Sequence, residues 1–163
     1  MIEARRKGFF SKDYVIEADG LEPLVLAVER WREAAIFEID GVVYSFRREN
    51  LIGGTYLLER LGEVLLRAEK PSFFHSSFDL EIDHQWVRLR RGSLFGLSFR
   101  VTAADQEIGR VDRNFFSSRI RADLPEDWPL PTRVFVLWLA LLSFRRQRRE
   151  AGVSAAEVAL PKG

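Results

Sequence analysis

The chain has 163 residues, 47% of them apolar and 30% charged, with 13 Phe, 4 Trp and no Cys. Such a composition describes one ordinary globular domain with ample core material, and it excludes a disulfide framework, a thiolate zinc site and a cysteine nucleophile. The formal net charge of +1 argues against a dedicated nucleic-acid binder, whose usual footprint is a strongly basic face.

The opening stretch, MIEARRKGFFSKDY, is charged on both sides of Phe9-Phe10 and lacks the apolar run of a signal peptide, so a cytoplasmic protein is expected. Arg5, Arg6 and Lys7 cluster here, in a segment 1–13 expected as an arm ahead of the folded domain. From Tyr14 to Leu124 short alternating runs predict strands. FEIDGVVYSF contains the clearest hairpin, because Asp40-Gly41 accepts positive φ between two segments rich in β-branched and aromatic residues. FDLEIDHQWVRLRR predicts another. With its turn centred on His84-Gln85, Ile82 faces Val87 and Leu80 faces Leu89 on an apolar side, while Glu81 faces Arg88 and Asp79 faces Arg90 on a charged one. That pairing disfavours a calcium or His/carboxylate metal site built on Asp79, Glu81 and Asp83. No metal and no cofactor is expected.

The chain also repeats itself. EIDGVVYSFRR at Glu38 matches EIDHQWVRLRR at Glu81, 43 residues later, and LLRAEKP from Leu65 lies over IGRVDRN from Ile108. The period predicts two copies of a four-stranded unit that close one barrel. It also decides YLLERLGEVLLRAEK, whose composition suits a helix: its counterpart FRVTAADQEIGRVDR is strand, turn, strand, so Tyr56–Arg60 and Val64–Ala68 are expected as a hairpin around Leu61-Gly62. Phe73-Phe74 and Phe115-Phe116 are expected to serve packing.

Pro129 and Pro131 announce the last element, a helix over 132–149 with Thr132 as its cap. Val134–Phe144 is apolar around the whole circumference, so it must be buried on all sides. Eleven residues rise about 17 Å, well short of a bilayer core of about 30 Å. Arg133 and Arg145 prevent extension of the run. A helix filling the bore of a barrel satisfies these limits. Its basic flank, Arg145, Arg146, Arg148 and Arg149, would then emerge at one mouth. The tail 150–163 is expected to be flexible or partner-dependent.

The repeated hairpins, FEIDGVVYSF, GTYLLERLGEVL from Gly54 and the closing apolar helix from Val134 together resemble the tubby C-terminal-like superfamily, which includes tubby, the LURP-one-related proteins and the phospholipid scramblases. The resemblance covers about Tyr14 to Arg149 and implies a mostly β fold: a closed antiparallel barrel of about twelve strands around a central hydrophobic C-terminal helix. It also implies docking on phosphoinositide or other anionic phospholipid headgroups. Peripheral, not transmembrane, membrane contact through Arg145, Arg146, Arg148 and Arg149, with Arg5, Arg6 and Lys7, is the expected function.

A protein–protein interaction module without a lipid ligand is the alternative. Catalysis is not expected. The chain lacks a G-x-S-x-G elbow, an H-E-x-x-H helix motif, a phosphate loop and a dinucleotide fingerprint, and the neighbours His75 and Ser76 would point to opposite faces of a strand instead of joining Asp79. Gly53-Gly54 is expected as a loop pair and nothing more.

Overall fold

A computed structural model describes residues 1–8, 11–29, 32–50, 53–71, 77–92, 97–114 and 119–158, with side chains as far as Gln147. Twelve strands precede one helix: β1 (Ile2–Arg6), β2 (Tyr14–Ala18), β3 (Leu24–Glu29), β4 (Ala34–Ile39), β5 (Val42–Arg48), β6 (Thr55–Arg60), β7 (Glu63–Glu69), β8 (Ser77–Ile82), β9 (Gln85–Arg91), β10 (Ser98–Ala103), β11 (Gln106–Arg113), β12 (Ile120–Asp123) and α1 (Leu130–Val158). Each strand pairs antiparallel with its chain neighbour, and β1 pairs with β12 to close the barrel. The expected architecture is therefore present, and closure gives every strand a neighbour on each side.

Alternation puts one side of each strand into the bore. In β3, Leu24, Leu26 and Val28 are buried while Val25 and Glu29 are exposed; in β12, Ile120 and Ala122 point in, Arg121 and Asp123 out. β1 follows the same rule with Ile2 and Ala4. The segment 1–13 is thus not an arm. Its first half supplies the strand that locks the barrel, pairing Ile2 with Ala122 on one side and Ala18 on the other.

Tight two-residue turns join the central hairpins, each with both residues at positive φ: Asp40-Gly41 (50°, 76°), Leu61-Gly62 (51°, 85°), Asp83-His84 (50°, 61°) and Ala104-Asp105 (47°, 62°). Such turns match the right-handed twist of the strands they join. The first and third lie 43 residues apart, as do the second and fourth, and the ladder irregularities at Leu58/Glu59 and Val101/Thr102 keep the same spacing. The internal repeat therefore reaches down to the β-bulges.

The β8–β9 register differs from expectation by two residues. Asp79 faces Arg88, Leu80 faces Val87 and Glu81 faces Trp86. The observed turn places Asp83 in the left-handed region, which Asp tolerates, whereas a turn on His84-Gln85 would impose that conformation on Gln85. A slip of two leaves every side chain on its own face, so the apolar side stays inward. Only the ion pairs change: Asp79, not Glu81, receives Arg88, with Arg88 Nη2 3.2 Å from Oδ2.

α1 begins at Leu130, two residues before the expected start, and Thr132 lies inside its first turn. Pro131 is tolerated there because its missing N–H would have had no intrahelical partner; the first bond of the ladder runs from Arg133 N to Pro129 O at 3.1 Å. From Val134 to Phe144 every residue is buried, and Ser143 Oγ donates to Leu139 O at 3.2 Å. Trp138 fills the centre, ringed by Phe46, Tyr56 and Phe135 with centroids 5.1, 5.7 and 6.0 Å away. The helix is core, as its circumference predicted, and among the described residues no helix is long and apolar enough to cross a membrane. It does not stop at residue 149: the helical backbone continues through Val158 into the segment expected as a tail.

Candidate functional site

The barrel has two unlike ends. At the turn end lie the tight hairpin tips, residues 19–23 and the entry to α1 at 124–129. The other connections lie at the loop end, where α1 leaves the bore: Arg145 Nη2 donates to Lys12 O at 3.3 Å, and Phe144 packs on Phe99 with centroids 5.2 Å apart. Charge follows this division. The turn-end connections contain Asp19, Glu22, Asp40, Asp83, Asp105, Glu126 and Asp127, and no lysine or arginine. At the loop end Lys7, Lys12, Arg32 and Arg91 are exposed and Arg48, Lys70, Arg113, Arg145 and Arg146 are partly buried, and they outnumber the carboxylates Asp13, Glu29, Glu33, Glu49 and Glu69 at the same end. The barrel is polarised along its axis.

Arg146 is the centre of the loop end. Its Nε lies 3.1 Å from Glu33 Oε1, and its Nη2 lies 2.8 and 2.9 Å from the two carboxylate oxygens. The same Nη2 reaches Tyr56 Oη, whose own proton goes to Glu33 Oε2 at 2.9 Å. Arg48 stands behind, with Nη1 3.6 Å from Glu33 Oε2 and Nε donating to Gly53 O at 2.7 Å. These groups come from four places: the β3–β4 connection, β5, β6 and the end of the buried run of α1. Glu33 itself sits at φ 50°, a conformation uncommon for a side chain of its size, and this aims its carboxylate into the mouth.

Around the cluster is a cavity of about 370 Å³ lined by Glu33, Arg48, Gly54, Tyr56, Lys70, Pro71 and Arg146. A Cβ at Gly54 would lie 2.9 Å from Lys70 O, and the Gly54 carbonyl accepts from Lys70 N at 2.9 Å. The glycine is therefore more than loop filling: only a residue without a side chain lets the two backbones meet there.

Burial alone would push the Glu33 carboxyl upward. The hydrogen bond and charge of Arg146, the Tyr56 hydroxyl and the charge of Arg48 outweigh it, and Glu33 stays ionised below the usual range. Tyr56 is pushed up to about 12, first by burial and then by the neighbouring Glu33 carboxylate, against the opposing pull of Arg146. Arg146 is held protonated by Glu33 and Tyr56 despite its burial. Arg48, Lys70 and Arg146 against Glu33 leave the lining with two positive charges in excess, which suits an anionic group carrying several acceptor oxygens.

Of the sequence-predicted basic residues, the fold brings Lys7, Arg145 and Arg146 to this end, with Arg6 opposite Tyr14 on the last rung of β1–β2. Arg145 lies 5.8 Å from the Tyr14 ring. Arg146 turns into the barrel mouth and is not a free surface charge. Arg5 is on the outer wall, its Nε donating to Glu17 Oε1 at 3.0 Å, and does not join the cluster. The backbone of Arg148 and Arg149 continues the helix outward; their side chains, like Phe9-Phe10, Phe73-Phe74, His75, Ser76 and Phe115-Phe116, lie outside the described residues. Glu33, Arg48, Tyr56 and Lys70 were not singled out by sequence.

Comparison with protein-family models, with curated proteins and with solved structures finds no match to this chain.

Proposed function

We propose that this protein is a non-enzymatic, tubby- and LURP-one-like binding domain that docks its loop end on anionic phospholipid headgroups. The observation that carries the proposal is the uneven charge along the barrel axis: the turn-end connections hold carboxylates and no lysine or arginine, whereas lysines and arginines outnumber carboxylates at the mouth where α1 leaves. Such a molecule is oriented by an anionic surface before it touches it, with the acidic end held away. The cavity around Arg48, Lys70 and Arg146 then offers one headgroup phosphate a partly desolvated seat. The barrel-and-helix architecture implied by the family resemblance supports the same reading.

The test is flotation with neutral and anionic liposomes at low and moderate salt. Binding should be confined to anionic vesicles and weaken with salt. Lys7→Glu with Lys12→Glu changes two exposed residues, and each lost cation should cost about 1 kcal/mol, or about fivefold, with reversal costing more. Asp40→Asn with Asp105→Asn at the far end should leave binding unchanged. Binding insensitive to the lysine changes would overturn the proposal.

A further inference from the structure

On the outer wall, the barrel is barely sewn between β7 and β8 toward the turn end. Their ladder holds only at Ala68↔Leu80 and Glu69↔Asp79. Both hairpins run on past that point, β6–β7 to Arg60↔Glu63 and β8–β9 to Ile82↔Gln85. The two tips therefore diverge, and Glu63–Arg67 of β7 and Glu81–Ile82 of β8 face the gap with no cross-strand partner between them. A cleft of about 530 Å³ opens there. Unpaired strand backbone beside a cleft is a template for another strand.

The walls of the cleft are both greasy and acidic. Trp86 is 65% exposed, Val64 38%, Leu65 37%, and Leu61 at the adjoining turn 83%. A tryptophan left this open is unusual in a single chain and common where a partner covers it. Glu69, Asp79, Glu81 and Asp83 also line the cleft. Arg88 answers Asp79, and the cleft's own Arg67 is engaged by Glu49. Among the described residues Glu81 has only the His84 ring, 3.8 Å away. Among the described residues neither Glu69 nor Asp83 has an ionic partner.

We infer that the β7–β8 cleft is a docking site for an extended peptide in which lysine or arginine alternates with apolar residues. Added as a strand, such a segment would satisfy the free backbone groups of β7 or β8. With a period of two, its apolar residues would face Leu66 and Ile82 and its cations Glu81, Asp83 and Glu69. The inference is independent of lipid docking: site, charge and partner all differ from those at the loop end.

The experiment titrates the full chain with a short Lys-Val alternating peptide, a Glu-Val counterpart and a Lys-Val peptide interrupted by proline. Binding is read by anisotropy of the labelled peptide and by the tryptophan emission lost in Trp86→Phe. The Lys-Val peptide should bind and shift Trp86, and both controls should bind at least about tenfold more weakly, one for want of charge complementarity and the other for want of N–H donors. Glu81→Lys with Asp83→Lys, both exposed and checked for fold by circular dichroism, should abolish binding, whereas Lys7→Glu with Lys12→Glu should retain it. Equal binding of the proline-interrupted peptide would overturn strand addition. A Trp86 shift with neutral vesicles and none with the Lys-Val peptide would overturn a protein partner.

Discussion

Replacing Glu33 with Gln should destabilise the protein and at the same time improve its grip on phosphate. The carboxylate accepts from Arg146 and Tyr56 and lies 3.6 Å from Arg48. Gln keeps the shape and one acceptor oxygen but leaves two guanidinium groups without a counter-charge. Hydrogen bonds to charged groups are worth about 1.5–3 kcal/mol, and the Arg146 and Glu33 side chains are 29% and 27% exposed, so water offsets part of the loss. A net cost of about 2 kcal/mol follows, or about 4–8 °C in melting temperature for a domain of this size.

The acid limb should change as well. Because Glu33 is held below its unfolded value, its contribution is complete above the ordinary carboxylate range and disappears as pH falls through the lowered value. That part of the acid destabilisation should be missing in Glu33→Gln. The same substitution raises the excess charge of the cavity from two to three, so glycerophosphate should raise the melting temperature of the variant more than that of the parent. Ligand at a hundred times its dissociation constant restores about 2.7 kcal/mol. A variant melting within about 1 °C of the parent would refute the counter-charge role of Glu33. Equal phosphate stabilisation of both proteins would refute anion binding in the cavity.

The remaining predictions concern the same core. Spectrophotometric titration of the tyrosines should show a component ionising at about 12 that is absent in Tyr56→Phe. Since this value is raised, the stabilisation is present below the unfolded value near 10 and is lost as pH climbs toward 12, so alkaline melting should be shallower in Tyr56→Phe. Trp138 is buried, and among the described residues its indole N–H has no acceptor. Trp138→Phe should therefore cost less than about 1.5 kcal/mol in denaturant unfolding, because losing the orphan donor offsets the lost volume, while Trp138→Ala should cost about 3–5 kcal/mol.

What could be foreseen and what could not divide along the range of the interactions. Turn chemistry is local, so Asp40-Gly41 was visible; the repeat sets Asp83-His84 opposite it 43 residues on, but with no glycine to mark it that turn was read one residue late, on His84-Gln85. The central helix was visible because an all-round apolar run of eleven residues has few places to go. The β8–β9 register was not, since alternation has a period of two and a slip of two satisfies it equally well; the φ demands of the turn, and its place in the repeat, separate the alternatives. β1 was hidden because five residues with two inward side chains, one of them Ala4, carry almost no pattern, and its partners lie at opposite ends of the barrel sequence. The mouth cluster was least visible: Arg146 meets Glu33 across 113 residues and Tyr56 across 90. Nothing in the neighbourhood of any one of them announces the others.

Two structural causes could produce a polarised barrel without any ligand, and they account for only part of it. Positive φ at a turn favours Asp and Asn, which explains carboxylates at Asp40, Asp83 and Asp105. It does not explain Glu22, Glu126 or Asp127, where no such φ occurs. The dipole of α1 favours anions before Leu130 and cations at its far end. Glu126 and Asp127 fit the first half of that rule. Arg145 and Arg146 do not fit the second, because the helix ends at Val158, more than two turns beyond them, with no basic residue in its last turn. Nor does a helix dipole reach Lys7, Lys12 or Arg32 on the barrel rim. Turn chemistry and the dipole thus account for much of the acidic end, and Glu33 accounts for Arg48 and Arg146; among the described residues Lys7, Lys12 and Arg32 on the rim are left without such a cause, and the proposed anion is sought there.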